Sequence, residues 1–318
     1  MPLIASIDVG SNTLRLLIAA VEQDRLIDVF SDRKITKMGN RVAQTGRLQD
    51  ENIRDSLSAL KEFSSVIAKY KVRHVRAVAT SALREASNSD TFIRRVFDVT
   101  GIPIEVIPGE KEAELTLKGI LAAFPASGRR VSPPSMFILD IGGGSTEWVL
   151  YRDKAHINMG SMPVGVIKLS QSLLTTDPLS ETDLKKLNAE IFFVIEDLKK
   201  RIRDLTSVQT QFIGTAGTFT AIASIDLGLD VYAREKIHLH AISLSGLRAL
   251  GNKLTALSLE DRKKVKGLEP ERADLIIPGI LFTIKVMESL KFEELTISDY
   301  GLLEGVLLDI GKSISETS

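Results

Sequence analysis

The chain has 318 residues, 44% hydrophobic and 26% charged, a globular composition long enough for two domains. Its 41 Lys and Arg balance 41 Asp and Glu, which argues against a broad nucleic-acid-binding surface while leaving room for a local basic groove. Cysteine is absent, so cysteine nucleophiles, cysteine-based zinc sites and disulfides are excluded, and the chain fits a reducing cytoplasm.

The start, MPLIASIDVG, has an acid at position 8 and no basic segment or long apolar core, so it does not read as a signal peptide. No apolar run reaches the ~18–20 residues of a membrane span. Three apolar runs, Leu3–Val9, Leu14–Val21 and Leu26–Phe30, predict strands with polar turns between them. Leu57, Leu60, Phe63, Ile67 and Tyr70 recur at helical spacing and form one apolar stripe. A strand at Val75–Ala79 and a polar stretch, TSALREA, follow. Next come a helix at Phe92–Val99, a strand at Ile102–Ile107 and a helix at Lys111–Ala123. The Pro-, Ser- and Arg-rich stretch Phe124–Ser135 reads as a linker between domains.

The pattern then restarts, with strands at Phe137–Ile141, Ser145–Tyr151 and Ala155–Met159. A long helix, Ser180–Arg203, opens with a weak capping box, Ser180 to Asp183. Strand Gln211–Gly214 enters a helix through GTAGT. Helices at Ser243–Leu257 and Ala273–Leu290, a strand at Glu294–Ser298 and a helix from about Leu302 complete the chain. The apolar run Leu275–Val286, interrupted by Pro278 and Lys285, reads as a buried helix.

The two halves share a motif. Asp8, Gly10 and Thr13 recur as Asp140, Gly142 and Ser145, each 132 residues later. In both, an apolar strand ends at Asp, a glycine permits a tight reversal, and a hydroxyl residue opens the next strand. Successive turn N–H groups form a concave anion site, and Gly143 and Gly144 let a phosphate oxygen approach the backbone. Asp8, Asp140 and Glu147 are hard oxygen ligands of the kind Mg²⁺ takes. One such hairpin needs no ligand to explain it; two with the same Asp favour a bound phosphate. GTAGT, Gly214–Thr218, is a weaker anion loop at a helix start.

Other features point nowhere by themselves. The glutamates of EVIPGEKEAEL, Glu105–Leu115, suit the first turn of a helix, and spacing picks out none of them. Arg84 could clamp a phosphate but reads first as a surface helix charge. There is no GxSxG or HExxH. His238 and His240 would share one strand face, as packing residues. DIGKS, Asp309–Ser313, has the wrong spacing and context for a P-loop. The basic runs Lys199–Arg203 and Arg262–Lys266 read as solvated helix faces, with a polyanion site as the alternative.

Taken in order, IDVGSNTLRLLI (7–18), ATSALREA (79–86), EVIPGEKEAEL (105–115), ILDIGGGSTEWVL (138–150), SMPVGVIKL (161–169), IGTAGTFTAIA (213–223), ERADLIIPGI (271–280) and SDYGLLEGVLL (298–308) resemble the exopolyphosphatase / guanosine pentaphosphate phosphatase family of the actin–Hsp70–sugar kinase superfamily. The resemblance spans nearly the whole chain. It implies an α/β fold of two ribonuclease-H-like domains around a cleft: 1–124, with the final helix about 302–318 packing back on it, and 125–301. It implies Mg²⁺-dependent release of a terminal phosphate from inorganic polyphosphate or guanosine pentaphosphate.

The resemblance also assigns roles. Glu112 stands where the family has its catalytic glutamate, as general base. Asp140 and Glu147 match metal-binding acids, and Asp8 holds the equivalent place in the first loop. Ser11, Asn12, Thr13, Arg84, Gly143, Gly144 and Ser145 match phosphate-holding positions. Two departures stand out. Glu114 replaces a common family arginine, for which Lys111 or Arg15 could substitute. The chain also ends just after SDYGLLEGVLL, as the short two-domain form, which puts processive action on long polymers in doubt. The resemblance further implies a homodimer, although no residue pattern marks an interface. A phosphotransferase and a non-catalytic sensor are the competing classes; the acids at 112, 140 and 147 speak against the sensor.

Overall fold

The structure, a computed structural model, describes residues 3–22, 25–126, 133–152, 156–202 and 210–317. In chain order the first elements are β1 (Ile4–Val9), β2 (Thr13–Glu22), β3 (Arg25–Ile35), α1 (Val42–Thr45), α2 (Asp50–Lys69), β4 (His74–Ala79), α3 (Ser81–Glu85), α4 (Ser89–Thr100), β5 (Ile104–Val106) and α5 (Gly109–Ala126). Then come β6 (Ser135–Ile141), β7 (Thr146–Arg152), β8 (His156–Met162), α6 (Val166–Leu173), α7 (Glu181–Arg201), β9 (Gln211–Thr215), α8 (Ala216–Asp226), α9 (Arg234–Ile237) and β10 (His240–Ser243). The last are α10 (Leu244–Thr255), α11 (Leu259–Arg262), α12 (Ile276–Leu290), β11 (Glu294–Ser298) and α13 (Leu302–Thr317). Among the described residues no helix is long and apolar enough to cross a membrane. Two compact units emerge, Met1–Ser132 with Tyr300–Ser318, and Pro133–Asp299.

The first unit is built on a five-stranded sheet in the order β3-β2-β1-β4-β5. β1, β2 and β3 pair antiparallel, while β1–β4 and β4–β5 are parallel. β1 is buried at every position, as a central strand covered on both faces must be. One face receives Ile53, Leu57, Leu60, Phe63 and Ile67 of α2 with Phe92 and Val96 of α4. Against the other, Leu303 and Leu307 of α13 pack on Ile4, Leu17 and Ala19, and Leu302 and Val306 meet Val78, Ile107 and Leu115.

Gly305 of SDYGLLEG and Gly119 of α5 make that second packing feasible. A Cβ on Gly305 would lie 1.8 Å from the Leu115 carbonyl oxygen, and one on Gly119 would lie 2.0 Å from that of Gly301. Asp309 fastens α13 between Arg76, at 2.6 Å, and Lys118, at 2.5 Å. Burial works against the Asp309 carboxylate, but hydrogen bonds from Lys118 and Arg76 hold it below its ordinary pKa. DIGKS is therefore a helix segment with a structural acid.

The second unit has a six-stranded sheet, β10-β11-β9-β6-β7-β8. Omitting the antiparallel edge strand β10, β8-β7-β6-β9-β11 repeats the order and directions of the first sheet, which is the ribonuclease-H-like order. Its core combines Leu187, Ile191, Ile195 and Leu198 of α7 with Phe219 and Ile222 of α8 and Ile280, Ile284 and Met287 of α12. Pro278 sits in the first turn of α12, where its missing N–H costs no intrahelical bond.

Several details depart from the sequence reading. β3 runs on to Ile35, and TSALREA forms the helix α3. α5 continues to Ala126, and the middle of the expected linker, 127–132, lies outside the described residues, as do the expected strand start at Ala155 and helix end at Arg203. Only half of the capping box forms. Ser180 Oγ accepts from the Asp183 N–H at 3.1 Å, but the Asp183 carboxylate turns to the backbone and hydroxyls of Thr175 and Thr176. Led by the Thr176 hydroxyl, these donors lower the Asp183 pKa to about 2. His238 and His240 do not share a strand face, because Leu239 between them has φ 62° and β10 starts only at His240. Arg262 is buried, not solvated; it donates to the carbonyls of Leu257 and Ala273, and burial lowers its pKa.

Candidate active site

Each unit presents a hairpin turn built to one plan. In the first, a Cβ on Gly10 would stand 2.8 Å from the Thr13 carbonyl oxygen, so only glycine closes the turn. In the second, the Gly142 N–H bonds that same carbonyl of the matching residue, Ser145, at 3.0 Å. The carbonyls of each turn are clamped from one side. Ser11 O accepts from Gly39 N–H, and Asn12 O accepts from the N–H groups of Thr36 and Lys37, at 2.6–3.1 Å. Gly142 O and Gly143 O accept from the first-turn N–H groups of Val166 and Ile167 at 3.0 and 2.9 Å. In a trans peptide the N–H points opposite to the C=O. The amides of Gly143 and Gly144 therefore turn away from α6, as the amide of Asn12 turns away from the 36–39 segment.

The side chains of Ser11, Asn12, Thr13 and Ser145 are buried. Ser11 Oγ accepts from the Ala82 N–H at 3.2 Å and so caps the short helix α3 from a distant segment. Asn12 donates to Thr13 Oγ1 at 3.4 Å, and its own side-chain oxygen is buried with no hydrogen-bond partner.

The acids beside the turns differ between the units. Asp140 and Glu147 lie directly opposite each other on β6 and β7, and both are buried. Glu147 Oε1 accepts from Ser161 Oγ at 2.6 Å, one strand further on. Directly opposite residues have Cβ atoms ~4.5–5.5 Å apart, and like charges there are destabilising. A cation between the two carboxylates would relieve that repulsion. Asp8, expected above as a third metal acid, pairs with a guanidinium: Arg15 donates to Asp8 Oδ2 through Nε at 3.0 Å and Nη2 at 2.7 Å. Its Oδ1 is buried without a hydrogen-bond partner. Among the described residues no group of three or more His, Cys, Asp and Glu could hold a metal. A pair of carboxylates suits Mg²⁺, which commonly takes one or two with water and substrate phosphate completing its shell.

Burial distinguishes the glutamates that spacing could not. Glu112, on the first turn of α5, is buried, whereas Glu105, Glu110 and Glu114 are exposed. Arg84 Nη1 donates to Glu112 Oε2 at 2.8 Å and to the Ile107 carbonyl at 2.8 Å. Arg84 is thus no surface charge; it ties α3 to the loop before α5 and fixes the carboxylate. Glu114 is held by Lys111 at 3.1 Å, and Arg15 is engaged with Asp8, so both candidate substitutes for the family arginine are already paired.

Two contributors escaped the sequence reading. Gly165, in SMPVGVIKL, lets α6 reach the glycine turn: a Cβ there would be 2.4 Å from Gly143 O and 2.6 Å from Gly142 O. Arg272, in ERADLIIPGI, lays its guanidinium over Gly217 at the start of α8, where a Cβ would meet Nη1 at 2.4 Å. GTAGT is accordingly a helix start covered by Arg272, whose Nε donates to Glu269 Oε2 at 2.7 Å. Thr218 of that loop donates to the Ile141 carbonyl at the end of β6 at 2.7 Å. None of these contacts has a spacing signature, because each joins distant segments.

Two ribonuclease-H-like sheets, each carrying an Asp-x-Gly hairpin, define an α/β protein of the actin-like class. Residues 17–314 match the Ppx/GppA phosphatase family, and the chain belongs to that family. It is 32% identical over 313 residues to a bifunctional 3-dehydroquinate synthase/phosphatase of Fusobacterium nucleatum, with 96% of this chain and 46% of that protein covered, so it spans under half of that relative. It is 29% identical over 321 residues to exopolyphosphatase 2 of Mycobacterium tuberculosis, with 96% and 98% covered. The crystal structure of the Aquifex aeolicus family member superposes with a TM-score of 0.79 at 30% identity, covering 100% of this chain and 99% of that one.

Proposed function

We propose that this phosphatase-family chain is a Mg²⁺-dependent exopolyphosphatase, hydrolysing the terminal phosphate of inorganic polyphosphate. The observation that carries this reading is the Asp140–Glu147 pair beside a glycine turn whose Gly143 and Gly144 amides point away from α6. Asp140 and Glu147 would hold the Mg²⁺, and the Gly143 and Gly144 N–H groups with Ser145 would take phosphoryl oxygens. The bound ion supplies charge neutralisation on those oxygens. Within the same unit, Arg272 at the GTAGT helix start is an added candidate donor.

Glu112 is the proposed general base. Buried and fixed by Arg84, it would accept a proton from the attacking water as that oxygen bonds to the terminal phosphorus. The bridging P–O bond then breaks, and the shortened chain leaves with the electron pair. Asp8 is dropped from the metal set on account of Arg15. The relative from Mycobacterium tuberculosis is named an exopolyphosphatase, which supports polyphosphate as the substrate.

The test supplies purified protein and Mg²⁺ with long polyphosphate, short polyphosphate, guanosine pentaphosphate or ATP, and follows free phosphate with and without ADP. Phosphate released from polyphosphate without ADP is the expected result. Release from guanosine pentaphosphate alone would reassign the substrate, and ATP formation that requires ADP would replace hydrolysis with phosphotransfer.

A further inference from the structure

The row formed by Asp140 and Glu147 continues onto a third strand. Asp140 on β6 lies opposite Glu147 on β7, and Glu147 lies opposite Ser161 on β8, so their side chains stand in one line on one face of the sheet. Ser161 Oγ donates to Glu147 Oε1 at 2.6 Å, the length of a hydrogen bond from a hydroxyl to an ionised carboxylate. The matching row of the first unit runs Asp8, Arg15, Arg33, with a base in the third place. Serine there supplies one donor and no charge, so it orients Glu147 without cancelling the second negative charge of the row.

The strand pairing around this bond is secured on both sides. Trp148 lies over Gly160, where a Cβ would come within 3.1 Å of the indole. Thr146 Oγ1 donates to the Val164 carbonyl at 2.7 Å. Further along the same segment, the N–H groups of Val166 and Ile167 hold the carbonyls of Gly142 and Gly143. One stretch, 161–167, therefore holds an acid of the pair at its start and the glycine turn at its end.

We propose that Ser161 is a positioning residue for the Mg²⁺ ion, acting only through Glu147. The terminal torsion of a glutamate is broad, and a donor fixed on Oε1 confines it, so that the carboxylate is already oriented when the ion arrives. The inference rests on the reading of Asp140 and Glu147 as the Mg²⁺ pair and extends it to the next strand.

Calorimetric Mg²⁺ binding to the purified full chain, without substrate, tests it. Ser161→Ala should weaken Mg²⁺ affinity ~10–100-fold, as loss of an outer partner of a metal ligand does. Ser161→Thr keeps the hydroxyl and should bind within a few-fold of the wild type, whereas Ser161→Val, of the same shape without the hydroxyl, should bind as weakly as Ser161→Ala. Glu147→Arg, which removes the ligand itself, is the reference for complete loss. If Ser161→Ala lowers the urea midpoint but keeps full Mg²⁺ affinity while Glu147→Arg abolishes it, the bond is structural only, and the role of Ser161 is overturned with the metal pair left standing. Equal affinities for Ser161→Thr and Ser161→Val overturn it as well. A wild type that binds no Mg²⁺, or a Glu147→Arg that binds it fully, removes the pair from the metal site and the role of Ser161 with it.

Discussion

Glu147 lies opposite Asp140 in the second hairpin at the place where Arg15 lies opposite Asp8 in the first. The offset is the same 132 residues that relates the two aspartates. One fold position thus holds an arginine that neutralises its aspartate in one unit and a glutamate that doubles the negative charge in the other. The repeated scaffold carries an acid–base pair in one turn and a pair of acids in the other.

That difference gives the first prediction. Glu147→Arg should reproduce the Asp8–Arg15 pair on Asp140 and leave the unit folded. Calorimetric Mg²⁺ binding should vanish, and phosphate release should fall by more than ~10²-fold, beyond the 10–100-fold typical for outer-shell partners of a metal. Unchanged Mg²⁺ affinity would remove the Asp140–Glu147 pair from the metal site.

Gly165 provides a test of how the glycine turn is held. Gly165→Ala drives a methyl into the Gly142 and Gly143 carbonyls, at 2.6 and 2.4 Å before relaxation. A cost of about 1–3 kcal/mol in urea unfolding is expected, as for other overpacked sites, together with reduced kcat/KM. If both the midpoint and kcat/KM match the wild type, α6 does not position the turn.

Acid stability should depend on Asp183, which is far from the proposed chemistry in sequence. Its folded pKa is about 2, lowered first by the Thr176 hydroxyl, below the ~3.9 of an unfolded Asp. The stabilisation is therefore present above the unfolded value and is lost as pH falls toward about 2. Asp183→Asn should lower the urea midpoint at pH 7 and flatten its decline below about pH 4. Parallel pH curves for variant and wild type would exclude Asp183 as a contributor.

Much of the fold was legible because periodicity and turns are local. Glu294–Ser298 was read to the residue, and the matched Asp, Gly and hydroxyl residues foretold the paired hairpins. What local pattern could not carry was rotation and register. Glu112 stands out from Glu110 and Glu114 only once α5 is packed and one side of it is buried. The correspondence of Arg15 with Glu147 was visible as a number, but its meaning needed the strand pairing. Gly165, Arg272 and the Ser11 cap of α3 act across long chain separations. His238 was misread because nothing in a leucine announces the left-handed backbone of Leu239.

In the proposed mechanism Glu112, held by Arg84, takes the proton from the attacking water while other groups bind the phosphate. Single-turnover release of phosphate from polyphosphate, measured with equilibrium binding of the same polymer, tests it for Glu112→Gln. Binding within a few-fold of the wild type is expected, with turnover at least ~10²-fold slower, about 2.7 kcal/mol on the barrier. Release at the wild-type rate would contradict it.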